Sequence, residues 1–478
     1  ATVINRLHSH GKSSERERQA AKGKDLQPVC LEDAEASVQA CGLLAPRYWL
    51  GRDMSHYKRY PAYKDSGVEW IGEVPEHWET LRIKRAATLR NDRRNDAPDG
   101  WTYIGLEDVE PESGRYAPTK GASRQSEDSM VGVFRAGDVL YGKLRPYLRK
   151  SIVADRDGVC STEFLVLNAG RATASWLHRW LLTPDVTQQI EAGCDGAKMP
   201  RADWEHVGSI PLTMPHATEQ SAIAAALDRE TARIDALIAK KMRFIELLKE
   251  KRQALITHAV TKGLDPSVKM KDSGVEWIGE VPEHWSIYSA KRLFRERDER
   301  SVLGEEEMMT VSHLTGVTPR SEKQVNMFEA ETTAGYKICR AGDLAINTLW
   351  AWMGAMGTAR QVGIVSPAYN IYTPNERLDP EFVDLLVRMP SFAKEVTRFS
   401  KGIRESRLRL YPEGFFEVQF AVPPLAEQHF IVSRVRDKAA QIESLAAKTQ
   451  RSIDLLKERR SALITAAVTG QIDLREAA

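Results

Sequence analysis

KDSGVEWIGEVPEHW occupies Lys64–Trp78 and returns, residue for residue, at Lys271–Trp285, 207 positions later. An identity of 15 residues does not arise by chance, and other pairs follow in the same order. FRAGDVL (Phe134–Leu140) parallels CRAGDLA (Cys339–Ala345), offset by 205. PHATEQ at Pro215 parallels PPLAEQ at Pro423, and LLKEKRQALITHAV (Leu247–Val260) parallels LLKERRSALITAAV (Leu455–Val468), both offset by 208. Solenoid units run to about 20–50 residues, so a period above 200 marks a duplicated domain pair. Between the shared ends the copies diverge: GKLRPYLRK at 142–150 stands against NTLWAWMGA at 347–355. Shared ends around a divergent middle read as one scaffold carrying two different recognition surfaces.

Each copy closes on a long helical pattern. Pro215 and Pro423 suit the entry and Gly263 and Gly470 the exit. Between them Leu227, Ile234, Lys241, Leu248 and Leu255 form one seven-residue ladder, and Val435, Ile442, Thr449, Leu456 and Leu463 the other. Ile223, Leu237, Phe244, Ile238 and Ile245 are expected to widen the stripe. A heptad repeat keeps one helix face toward a partner helix, and polar Lys241 and Thr449 in the seam suit a register-setting role. Helices of about 43 residues would be about 65 Å long. The expected fold is α+β: two globular mixed α/β domains separated by two long antiparallel coiled-coil helices, with pseudo-two-fold internal duplication.

The middles, roughly 79–213 and 286–421, read as many short strands (VGVF, DVLYG, EFLVL, GIVSPAYNIY), with short helices around Ala174–Leu182 and Pro380–Arg388. In the first, Lys143, Arg145, Arg149 and Lys150 surround Tyr147 with no acid between, and Lys198 and Arg201 follow in a Gly-rich loop. In the second, Lys401, Arg404, Arg407 and Arg409 crowd together with one acid, Glu405. Asn347, Thr348, Trp350 and Trp352 fill the slot of the first copy's basic run. Lysine and arginine neutralise phosphates; arginine, asparagine and threonine also read base edges.

Together these features resemble the specificity subunits of type I restriction–modification enzymes. The carrying residues are GVEWIGEVPEHW before each middle, the Pro-x-x-x-EQ helix entries, the LLKE[KR]R-x-ALI-x-x-AVT helix ends, and AGDVLYGKLRPYLRK…CSTEFLVL…MPR in the first copy, covering about 60–475. The resemblance implies a DNA-reading subunit without catalytic residues. Each middle would be a target recognition domain reading one half of a bipartite, asymmetric site on double-stranded DNA. The helices would set the half-site spacing and dock two methyltransferase (modification) subunits. S-adenosylmethionine, ATP and Mg would belong to these and to two motor-nuclease (restriction) subunits, with no cofactor or metal in this chain. The implied layout is an N-terminal extension over 1–63, target recognition domain 1 over 64–213, helical spacer 1 over 214–265, domain 2 over 266–421 and spacer 2 over 422–478. The implied DNA-facing loops are Gly142–Lys150 and Gly196–Arg201, with Asn347–Trp352 and Lys401–Tyr411 in the second copy.

Composition agrees with this reading. The 478 residues, 42% hydrophobic and 28% charged, fit a soluble globular chain of several domains. No apolar run is long enough for a membrane span, and the polar first 24 residues lack a secretory core, so a cytoplasmic location is expected. Cys30, Cys41, Cys160, Cys194 and Cys339 contain no Cys-x-x-Cys pair. A phosphate loop, a G-x-G-x-x-G turn, an H-E-x-x-H pair and a [DN]-P-P-[YFW] tetrapeptide are all missing, which argues against a self-contained nuclease or methyltransferase. A net charge of +2 is low for a DNA binder and leaves a DNA-independent coiled-coil scaffold as the alternative.

Overall fold

The computed structural model describes residues 57–95, 98, 100–118, 130–194, 196, 198–323, 332–402 and 408–475. The N-terminal stretch through residue 56, Cys30 and Cys41, and Arg404, Glu405 and Arg407 lie outside the described residues. The chain divides into two compact units: residues 1–232 with 459–478, and residues 233–458. Each unit holds one variable region, the beginning of one long helix and the end of the other.

In unit 1, strands of two to five residues build two four-stranded sheets. One runs in the order Arg93–Arg94, Val131–Phe134, Gly158–Ser161, Thr102–Ile104, its last pair parallel. The other runs Thr88–Leu89, Phe164–Asn168, Val139–Gly142, Ser151–Val153, all antiparallel. Unit 2 has one four-stranded antiparallel sheet, Phe294–Arg297, Tyr369–Pro374, Leu344–Asn347, Met356–Thr358. Two ribbons flank it, Met309–Ser312 with Gly316–Pro319 and Lys337–Cys339 with Gly363–Val365. The apolar runs read as strands are strands, and the short helices lie where expected: α1 over Ala174–Leu181 in unit 1 and α2 over Pro380–Val387 in unit 2.

The repeated Arg-Ala-Gly-Asp motif carries a buried staple. Asp138 is 1% exposed and accepts from Arg90 Nε at 2.7 Å and from the Arg135 amide at 2.8 Å. Asp343 is 2% exposed and accepts from Arg297 Nε and the Arg340 amide, both at 2.8 Å. A buried carboxylate this well donated to ties two strands and a turn together in each copy.

Each variable region is tied off at a two-stranded neck. Glu79–Arg82 pairs antiparallel with Pro211–Met214, and Ser286–Ser289 with Gln419–Val422. The long helices follow, α3 over Ala217–Lys262 and α4 over Leu425–Val468. Their EQ dipeptides explain why the repeated motifs persist. The Glu219 carboxylate accepts from Trp78 Nε1 at 3.2 Å and meets His77 Nε2 at 2.8 Å; Glu427 does the same with Trp285 at 3.2 Å and His284 at 2.7 Å. The adjacent Gln220 accepts from the Thr173 amide ahead of α1 at 2.7 Å, and Gln428 from the Asp379 amide ahead of α2 at 2.8 Å. One dipeptide thus fixes the EHW element and the short helix to the long one. Trp78 and Trp285 are both 0% exposed, so their indole N–H groups need these acceptors.

Both exit glycines adopt φ of +74°, the left-handed conformation that ends a helix. A Cβ at Gly470 would overlap Pro75, and one at Gly263 would lie 3.5 Å from Trp285. In unit 1 the segment after α4 also reaches the start of the described chain. Asp473 bridges to Lys58, and the Tyr63 hydroxyl donates to the Gly470 carbonyl at 3.1 Å. Tyr60, ahead of the repeated element, is 4% exposed and stacks edge-on against Trp78.

Within unit 2 the two helix segments run antiparallel. Arg252 Nε meets Glu443 at 3.3 Å, while Ile256 and Val260, further along α3, share a core with Val435 and Ile431, earlier on α4. Of the ladder, Leu227, Ile234, Leu248, Val435, Thr449 and Leu463 are buried, and Thr449 returns its hydroxyl to the Leu445 carbonyl at 2.8 Å. Leu237 and Phe244, expected on the stripe, are instead 48% and 41% exposed. The buried seam is the narrow one of a strict heptad, not the broad face of a core helix.

Candidate nucleic-acid interface

The connection between strands Val139–Gly142 and Ser151–Val153 holds four of the first copy's six candidate DNA-facing cations, Lys143, Arg145, Arg149 and Lys150. Its centre is a short 3-10 turn, Pro146–Leu148, flanked by Arg145 and Arg149 at φ of 53° and 47°. Two non-glycine residues in the left-handed region store strain that surrounding contacts must hold. Those contacts come from the turn at Glu163 and from the second basic loop. Lys143 N donates to Glu163 O, Arg145 N to Pro200 O and Ala202 N to Lys143 O, each at 2.9 Å. Gly142–Lys150 and Gly196–Arg201, separate in sequence, therefore form one surface.

The side chains divide into two groups. Arg145, Tyr147, Lys198 and Arg201 point outward, and Lys143 is half-buried. Among the described residues no ion pair engages Arg145 or Lys198. Arg201 rests on Glu163 through two bonds, at 3.0 and 3.2 Å. Arg149 and Lys150 face inward. Arg149 pairs with Glu112 at 2.6 Å. Lys150 Nζ donates to the Leu106 carbonyl at 2.7 Å, and desolvation holds its pKa below the usual lysine range. The Glu112 and Ser113 carbonyls in turn accept from Arg460 of α4, at 3.2 and 2.9 Å. The basic loop is thus braced, through Glu112, on the long helix.

Unit 2 repeats the backbone and changes the side chains. Leu410 N donates to Thr348 O at 3.1 Å, the counterpart of the bond from Ala202 to Lys143. Lys401 and Arg409 exchange two backbone bonds of 2.9 Å, and both are exposed. Asn347 and Thr348 are only 8% and 9% exposed. Asn347 donates to the Tyr369 hydroxyl at 3.1 Å, its own Oδ1 buried without a partner, and Thr348 donates to the Ala368 carbonyl at 2.9 Å. These two hold the loop, and Trp350, Met353 and Tyr411 are what it exposes. Sequence reading passed over Met199, Met353 and Tyr411 beside the loops and the bracing acid Glu112; a large apolar or aromatic residue inside a Gly- or Arg-rich loop was the available signal.

Burial pushes the pKa of His178, on α1, down to about 3, with Arg179 and Arg460 adding to the effect. Among the described residues no group of three or more His, Cys, Asp or Glu side chains is placed to hold a metal ion, and no helix is long and apolar enough to cross a membrane.

No protein-family model matches the chain. The specificity subunit of the type I restriction enzyme EcoDI, from Escherichia coli, is 23% identical over 184 residues, 37% of this chain. That match spans only 41% of the relative's own length. A chain solved in work on complex assembly and conformational transition of the type I R-M system has the same fold, with a TM-score of 0.62 at 18% identity over 83% of this chain and 98% of that one. The HsdS subunit from Thermoanaerobacter tengcongensis gives 0.47 at 19% identity over 84% and 98%. The resemblance drawn from the repeated motifs is borne out: the chain is similar to type I specificity subunits in sequence and, with the two mixed α/β domains and two long helices, has the fold expected of it.

Proposed function

We propose that this chain is the DNA-reading subunit of a type I restriction–modification complex, each paired-loop surface reading one half of a bipartite asymmetric site. The observation that carries this reading is the duplicated loop pair. The same backbone bond joins two loops in both copies, Ala202 to Lys143 and Leu410 to Thr348, while the side chains around it differ. A conserved frame under changed side chains is what two different half-sites require. Arg145, Lys198 and Arg201 supply the cations that phosphates and guanine edges attract in unit 1, and Arg409, 208 residues after Arg201, supplies one in unit 2.

The long helices set the half-site spacing and dock two modification subunits. In support, Leu237, Met242, Phe244 and Leu247 on α3 and Leu445 and Leu455 on α4 are each more than 40% exposed, an unusual amount of apolar surface for mid-helix positions. Adenine methylation with S-adenosylmethionine belongs to those subunits, and ATP- and Mg-dependent translocation and cleavage to restriction subunits. This chain contributes no catalytic residue.

The test is to assemble the chain with its modification subunits and map the methylated adenines. Replacing residues 80–214, cut within the two-stranded neck, with another such domain is expected to change one half-site only. Changes in both half-sites, or modification that ignores sequence, overturn the reading. DNA binding without steep salt dependence would favour the scaffold instead.

A further inference from the structure

In each unit an ion pair joins the short helix to its own long helix, and the polarity is reversed between the copies. Asp228 on α3 and Arg436 on α4 stand 208 residues apart, the offset of the EQ dipeptides, so they hold the same helix position. In unit 1 Asp228 accepts from Arg179 of α1; in unit 2 Arg436 donates to Glu381 of α2. The short helices begin 206 residues apart, which makes Ser175 the counterpart of Glu381 and Leu385 that of Arg179. Residues 175 and 179 lie one turn apart on one face, as do 381 and 385. The same face thus presents a cation to an acidic helix position in one copy and an acid to a basic position in the other.

The two pairs differ in weight. Arg179 is 7% exposed, its Nε is buried without a hydrogen-bond partner, and Asp228 is its one close carboxylate among the described ion pairs. Removing or reversing that acid leaves a desolvated cation unpaired. Glu381 and Arg436 have side chains 57% and 65% exposed, so their attraction is screened and small.

We propose that this reversed pair is a charge key assigning each variable region to its own helix, so that the order of the two regions along the chain is fixed. Exchanging the regions would bring buried Arg179 against Arg436 in the second position, a like-charge contact; Glu443, the acid one heptad further along α4, is already paired with Arg252. In the first position Glu381 would meet Asp228, both exposed, at a lower cost. If each region reads one half-site, as proposed above, the key also fixes the order of the half-sites.

The experiment exchanges residues 80–214 and 287–422 in the full chain and compares it with the same exchange carrying Asp228→Arg and Arg436→Asp. The key predicts a lowered thermal midpoint for the plain exchange and recovery of most of the loss with the two substitutions. A midpoint unchanged or lowered further by them overturns it. Should neither exchanged chain fold, the unexchanged chain decides: at the wild-type urea midpoint Asp228→Arg alone should raise the unfolded-to-folded ratio about tenfold, and Arg179→Asp added to it should reverse most of that increase. Additive losses overturn the key. These readouts involve no DNA, so they stand or fall separately from the DNA-reading proposal.

Discussion

In unit 1 the paired loops expose Arg145, Tyr147, Lys198 and Arg201; in unit 2 the corresponding backbone exposes Trp350, Met353, Arg409 and Tyr411, and turns Asn347 and Thr348 inward. The supports beneath them are nearly superimposable in kind. Both copies have a Trp and a His on one glutamate, a glutamine on the residue ahead of the short helix, a buried Arg–Asp staple and an antiparallel neck. The difference teaches where the two copies were free to change. Groups with buried polar partners are held, because losing one partner strands the other. The exposed groups at the loop tips have no such partners and carry most of the divergence.

The largest test of the shared frame is Trp78→Ala against Trp285→Ala. Each removes a fully buried indole and is expected to cost about 3–5 kcal/mol in urea unfolding. Costs differing by more than about 2 kcal/mol would show that the two frames are not energetically equivalent.

A smaller effect separates the units by pH. His178 in unit 1 is held at about 3, below its ordinary 6.5, and the matching position in unit 2 is Asp384. With a lowered folded pKa, the unfolded chain binds the extra proton first. The neutral imidazole therefore costs nothing above about pH 6.5, and stability falls as pH drops from there toward about 3. At pH 5 the loss from this group is up to about 2 kcal/mol. The gap in thermal midpoint between wild type and His178→Asn should narrow from pH 7 to pH 5; a constant gap would remove His178 from the account.

The smallest expected effect compares the loop tips directly. Arg145→Ala should weaken DNA binding by the assembled complex about tenfold and reduce the salt slope by about 1. Trp350→Ala should weaken binding with the slope unchanged, since stacking releases no counterion. Equal slope changes for both would mean that the two tips use the same chemistry.

Much of the fold is legible in the sequence. The 15-residue identity revealed the duplication, the heptads the long helices, and the apolar runs the strands. The basic loops were legible as clusters. Which members face outward was not, because Arg149 and Arg145 sit in the same run and only Arg149 meets Glu112, 37 residues away. Asn347 and Thr348 looked like base readers by residue type, yet their side chains are taken up by Tyr369 and Ala368.

By itself, then, the sequence determined the duplication, the periodicity of its elements and the division into constant and variable parts. All of these follow from local spacing and from comparing the chain with itself. Only the tertiary structure decided that one glutamate serves both a histidine and a tryptophan about 140 residues earlier, that two distant loops share one backbone bond, and that Asp228 and Arg436 meet partners of opposite charge. The physical reason is that hydrogen bonds and ion pairs depend on distance in space, and a polar side chain's type does not say which partner the fold will bring to it.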